Sequence, residues 1–137
     1  NFESRPLVSL SSLYLMLDDL YKKMEYGEET AAAETIRPAV EYIEKNYNKP
    51  ISISTLASLC LCSESGLFKQ FAAAFGVSPI TYKHNIMIQH ALDLLSSTDL
   101  TVEEISEQLG FSSSNYFRKI FIRNIGKTPK QLRSRNG

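Results

Sequence analysis

Cysteine, histidine, glycine and tryptophan are all scarce in this chain of 137 residues, which has two Cys, two His, six Gly and no Trp. Cys60 and Cys62 lie too close together to staple a fold, and they point to a reducing compartment. A Cys-x-Cys pair also lacks the gap of structural zinc sites. His84 and His90, six apart on a helix, fall on different faces. No metal and no cofactor is therefore expected. There is no Gly-rich phosphate loop, no paired-histidine motif and no nucleophile elbow, and neither histidine has a Ser or Cys partner nearby in sequence. An enzyme is not expected. No apolar run approaches the ~18–20 residues of a membrane span, and no signal peptide opens the chain. No membrane partner follows, and the expected location is cytoplasmic. The first residue is Asn rather than Met, so the chain is expected to be part of a longer protein.

Net charge is missing too, with 15 Lys+Arg against 15 Asp+Glu, but the charges are segregated. Residues 1–44 hold nine acids and four bases, a net of −5; residues 45–117 hold six acids and four bases, a net of −2. Residues 118–137 carry Arg118, Lys119, Arg123, Lys127, Lys130, Arg133 and Arg135 and no acid, a net of +7. Either a polyanion partner at that end or a solvated basic tail accounts for this. The length suits one domain, or a small domain plus an extra element, large enough to fold without staples.

The apolar pattern is helical throughout. Leu10, Leu13, Leu17, Leu20 and Met24 recur at spacings of three and four. Gly27 and Glu28-Glu29-Thr30 interrupt the stripe, so residues 1–32 read as a helix and linker. A second helix is expected from about Ala33 to Tyr47, burying Ile36, Val40, Ile43 and Tyr47 and stopping at Asn48-Lys49-Pro50. Its acidic side chains Glu34, Glu41 and Glu44 form a solvated face.

An internal repeat decides the rest. Ile51-Ser52-Ile53-Ser54-Thr55-Leu56-Ala57 overlays Leu100-Thr101-Val102-Glu103-Glu104-Ile105-Ser106, 49 residues later. Each copy has an apolar residue, a hydroxyl N-cap and a short helix with an inward aliphatic, and Thr101 with Glu104 forms a capping box. Leu67-x-x-x-Phe71 then matches Phe117-x-x-x-Phe121 at 50 residues, so the second copy gains one residue in its turn. Both copies close alike, on Gly76-Val77-Ser78-Pro79 and Gly126-Lys127-Thr128-Pro129. Gly ends one helix in the left-handed region, Ser or Thr caps the next, and Pro opens it. The expected fold is all-α, with about seven helices after the N-terminal amphipathic one. Two helix–turn–helix units, about 52–76 and 101–126, are joined by a linking helix over about 79–97 that offers Ile80, Tyr82, Ile86, Ala91, Leu94 and Leu95 for packing. That helix spans about 28 Å, close to the ~34 Å between successive major-groove faces of a duplex.

From about Ile36 to Arg133 the chain resembles the DNA-binding domain of the AraC/XylS family of bacterial transcription regulators. The likeness is strongest in Leu109-Gly110-Phe111-Ser112-Ser113-Ser114-Asn115-Tyr116-Phe117-Arg118-Lys119-Ile120-Phe121 and the closing Gly126-Lys127-Thr128-Pro129. The resemblance implies an AraC-type domain over 33–137 and sequence-specific binding of double-stranded DNA. It also implies an effector ligand on a sensor domain outside this chain, and often a dimer. Residues 10–24 are the candidate homodimer contact, and in an activator the acidic face of residues 33–47 is a candidate contact for RNA polymerase. The alternative is a helical interaction module without autonomous DNA binding, for which the N-terminal stripe is the best evidence.

In such a unit the second helix enters the major groove and reads with its N-terminal half. Ser113, Ser114, Asn115, Arg118 and Lys119 project from it in the second unit, with Asn suited to adenine and Arg or Lys to guanine. Arg123, Lys127 and Lys130 suit phosphates, as do the helix N-termini at Ser52 and Thr101. Tyr116 either packs between helices or touches DNA. The first unit offers Ser65, Phe68 and Lys69, and Phe68 either presses on thymine methyls or is buried. This unit departs from the family pattern. Ala72-Ala73-Ala74 stands where basic residues are usual, Met87 where an Arg is usual, and Leu61 in place of the turn glycine. The second unit is therefore expected to supply most of the electrostatics.

Overall fold

In the computed structural model the described residues are 28–136, and they form seven helices and no strand. The expected N-terminal helix and its dimer contact at residues 10–24 lie outside them. In order the helices are α1 (Glu28–Asn46), α2 (Ile53–Leu59), α3 (Glu64–Phe75), α4 (Pro79–Ser97), α5 (Val102–Leu109), α6 (Ser114–Ile125) and α7 (Pro129–Asn136). The chain divides into two compact units, with the boundary between Lys83 and His84, inside α4.

In the N-terminal unit α1 packs on α2 and α3. It starts at Glu28, ahead of the expected Ala33. The Ala31-Ala32-Ala33 run propagates a helix readily. Ile36, Val40 and Ile43 are buried as expected, joined by Ala32 and Ala39, whereas Tyr47 lies beyond the helix end and is half-buried. Phe71, Phe75 and Tyr82 form one aromatic cluster, Phe75 stacking on Tyr82 at 5.0 Å. The Tyr82 hydroxyl donates to Glu44 at 3.3 Å, and Lys83 Nζ donates to the Lys49 carbonyl at 3.0 Å. Partial burial lowers the Lys83 pKa from its usual value.

The inward face of α4 differs from the expected one. Pro79, Tyr82, Asn85, Met87, Ile88, Ala91 and Leu95 are buried, Ile86 and Leu94 half-buried, and Ile80 is exposed. Ile80 falls off the three-and-four stripe that runs 79, 82, 85, 88, 91, 95. Met87 is core, so the residue found where the family pattern has Arg serves packing.

In the C-terminal unit α5 packs on α6 and α6 on α7. Phe111, Phe117 and Phe121 make the core with Ile105, Leu109, Ile120, Ile125 and Leu132. The last helix is tied down by one guanidinium. Arg133 donates to the carbonyls of Leu94, Leu95 and Thr98 at the C-terminus of α4, and to that of Leu100 just before α5.

The expected repeat appears in the backbone. Cys62 N–H donates to Ala57 C=O and Phe111 N–H to Ser106 C=O, both at 3.0 Å, so the first turn matches the second at an offset of 49. The helices that follow are capped by Ser63 and Ser113, at an offset of 50. Ser112 is the residue gained in the second turn. Leu61 and Gly110 occupy equivalent left-handed positions, at φ 55° and 88°. Gly110 adopts that region without strain, but Leu61 must place its Cβ against a carbonyl and is 93% exposed. Both repeat endings form as expected, with left-handed Gly76 and Gly126, caps from Ser78 and Thr128, and Pro79 and Pro129 at the first helical positions.

Two measurements check these assignments. Leu61→Gly is expected to raise unfolding free energy by about 0.5–1 kcal/mol, relief of left-handed strain outweighing added chain entropy; a lower denaturant midpoint contradicts it. Arg133→Ala is expected to cost about 2–4 kcal/mol, because partly buried carbonyls lose a charged donor, and Arg133→Lys is expected to recover only part of the loss.

Candidate nucleic-acid interface

Helix α6 is the candidate reader in the C-terminal unit. Ser113 Oγ accepts the Tyr116 N–H at 3.0 Å and so starts the helix, and left-handed Gly126 ends it. Phe117, Ile120, Phe121 and Ile125 point inward, which leaves Asn115, Tyr116, Lys119, Ile122 and Arg123 exposed along one stripe. Ser114 is half-buried, and Ser113 is exposed with its oxygen engaged in the cap. Tyr116 is 39% exposed, while its ring meets Phe111 at 6.2 Å and His84 at 5.8 Å, so packing and exposure coexist.

Arg118 is already engaged within the C-terminal unit. Its Nη2 lies 2.5 Å from Glu103 Oε2 on α5, and its Nη1 donates to Ser114 Oγ at 3.2 Å and to Asn115 Oδ1 at 3.4 Å. The hydrogen bond from Arg118 lowers the Glu103 pKa from its usual value. Thr101 is engaged as well, its N–H donating to Glu104 at 2.8 Å and its hydroxyl oxygen accepting the Glu104 N–H at 3.0 Å. The basic segment is accordingly less open than its +7 suggests. Arg133 faces backbone carbonyls and Arg118 faces a carboxylate, whereas Lys119, Arg123 and Lys130 are exposed and Lys127 is half-buried.

In the N-terminal unit α3 is the equivalent helix, capped by Ser63, whose Oγ accepts the Gly66 N–H at 3.0 Å. Ser65, Phe68, Lys69, Ala72 and Ala73 are exposed. Phe68 is 43% exposed, which leaves it outside the core. At an offset of 50 this stripe matches Asn115, Arg118, Lys119, Ile122 and Arg123, so two of the polar or charged places in α6 become alanine and phenylalanine in α3. Ser52 caps α2, its Oγ accepting the Thr55 N–H at 3.1 Å, and no acid occupies that first turn.

Two features escaped sequence reasoning. Ile122 shares the exposed face of Asn115 and Lys119, as spacings of seven and three already indicate. The Glu103–Arg118 pair joins residues fifteen apart on different helices, and no local pattern signals it. Among the described residues no three His, Cys, Asp or Glu side chains gather into a metal-binding group, and no helix is long and apolar enough to cross a membrane.

Comparison with known proteins settles the family. A helix-turn-helix domain model matches residues 56–135, more than half of the chain. A probable AraC family transcriptional regulator from Rhodopseudomonas palustris superposes with a TM-score of 0.68 at 33% identity, over 75% of this chain and 97% of that one. The chain belongs to the AraC-type helix-turn-helix family. An uncharacterised HTH-type transcriptional regulator of Bacillus subtilis, YfiF, is 38% identical over 93 residues, which are 68% of this chain and 29% of that protein. The DNA-binding domain of AdpA, solved in complex with a target DNA, gives a TM-score of 0.63 at 25% identity, over 75% of this chain and 89% of that one. The chain spans about a third of the length of the curated relatives it matches.

Proposed function

We propose that this AraC-type chain binds double-stranded DNA sequence-specifically and regulates bacterial transcription from the cytoplasm, acting by binding rather than catalysis. The observation that carries this reading is the outer stripe of α6. Hydrogen-bonding and cationic side chains stand there over a rigid Phe117–Phe121 core, on a helix whose N-terminal half is the part that reads base edges in this motif. Asn115, Arg118 and Lys119 are the first base readers, with Ser113 and Ser114 beside them. Ser65, Phe68 and Lys69 read for α3, where Phe68 offers an apolar face suited to thymine methyls.

Arg123, Lys127 and Lys130 neutralise phosphates, as do the helix ends at Ser52 and Thr101. Ser52 is the better placed of these two ends, because Thr101 shares its first turn with Glu103 and Glu104. In this reading the two reading helices enter successive major grooves of the duplex. An effector-binding region beyond this chain, a dimer contact through residues 10–24 and an activator's contact with RNA polymerase through the acidic face of α1 belong to the same reading. Their support is the practice of the family and the length of its members.

Selection from a randomised duplex pool, followed by sequencing of the bound DNA, tests this function. A motif with two elements about one helical turn apart is expected, the element read by α6 carrying more information. A folded sample that binds no duplex overturns the reading in favour of an interaction module. On the selected site Asn115→Ala or Lys119→Ala is expected to cost about 1–3 kcal/mol and to relax specificity at one position; equal losses on random DNA remove that residue from the base readers. Arg123→Ala is expected to weaken binding on every sequence and to lower the salt slope by about one, which a salt titration reads directly.

A further inference from the structure

Arg118, a proposed base reader in α6, already has a charged partner in the protein, Glu103. We propose that Glu103 is a specificity-determining residue. It holds the Arg118 guanidinium over the first turn of α6 and competes there with backbone phosphate, so that Arg118 responds to a base edge more than to the charge of any duplex. This inference rests on the DNA-binding function proposed above.

The geometry sets out how it works. Guanidinium carries five N–H donors in a rigid fork. Glu103 engages Nη2, and Ser114 and Asn115 engage Nη1. The fork is thus fixed on the reading helix while donors remain for a guanine edge, and less side-chain freedom is lost on contact. The pair restrains Arg118 without locking it. Its side chains are 35% and 64% exposed, a setting in which ion pairs hold weakly. On random sequence the acceptor most often within reach is a phosphate, and there the carboxylate beside the guanidinium repels the anion. On the preferred site a bidentate base contact adds to the pair instead of replacing it.

The N-terminal unit provides an internal contrast. The places of Glu103 and Arg118 are taken there by Ser54 and Phe68, at offsets of 49 and 50, so no such pair can form. Discrimination by this device belongs to one half of the DNA site.

The test compares Glu103→Gln, Arg118→Met and the double variant in the full chain, with Glu107→Gln as a control. Glu107 is exposed on the same helix, and its substitution changes net charge equally. Wild type is first shown to enrich a motif; failure at that step refutes DNA reading itself, independently of Glu103. Given enrichment, Glu103→Gln is expected to tighten binding to random duplex about three- to tenfold and to steepen the salt slope by about one, while the preferred site changes less. Repeated selection with Glu103→Gln should lose information only in the element read by α6. Both effects should vanish in the Arg118→Met background and be small for Glu107→Gln. Three results overturn the proposal: the same gain from Glu107→Gln, persistence of the gain without Arg118, or equal weakening on all DNA with a lowered melting temperature. The first two mean plain charge repulsion, and the third means a structural brace.

Discussion

The C-terminal unit depends on a charge that never leaves the protein. The last turn of a helix exposes carbonyls with no partner in the helix, at the negative end of its dipole. In α4 that turn is followed closely by the start of α5, so the chain has little room to satisfy them with backbone. Arg133 takes up the Leu95 and Thr98 carbonyls there, shares that of Leu94 with the Thr98 N–H and hydroxyl, and reaches the Leu100 carbonyl as well. The end of α4 and the residue before α5 are thereby tied to one side chain, and α5 carries Glu103 to Arg118. Among the described side chains of the short, polar α7, Pro129 and Leu132 enter the buried core, and the Arg133 guanidinium adds its hydrogen bonds to their apolar contact.

Charge is therefore distributed by task within one basic segment. Arg133 is structural and Arg118 is held in place, whereas Lys119, Arg123 and Lys130 face outward. The N-terminal unit solves the same architectural problem with less charge. Its supporting helix lacks first-turn acids, and its equivalent stripe is Ser65, Phe68, Lys69, Ala72 and Ala73. The two halves share a backbone plan, and even a reading-helix register, while differing in what they present.

Features set by local chemistry were legible in the sequence. A Gly-x-Ser/Thr-Pro ending states in four residues where one helix stops and the next begins, and the Thr101–Glu104 box does the same for α5. The extra turn residue was also readable, as a change of repeat offset from 49 to 50. What escaped depends on distance or on neighbours. Ile80 looks like core by composition, but the actual inward stripe of α4 passes beside it. The early start of α1 reflects helix propensity overriding a linker-like Gly-Glu-Glu segment. The Glu103–Arg118 pair and the carbonyl contacts of Arg133 join separate helices, and nothing in the spacing of those residues announces them.

The boundary between the two units falls within a hydrogen-bonded helix rather than in a loop, and this bears on how the chain folds. Starting a helix is costly because several residues must be fixed for the first bond, whereas extending it is cheap. A boundary inside α4 thus avoids the cost that a loop followed by a new helix carries. The junction at Lys83 and His84 therefore needs no second helix start, and its residues are added to α4 by propagation alone.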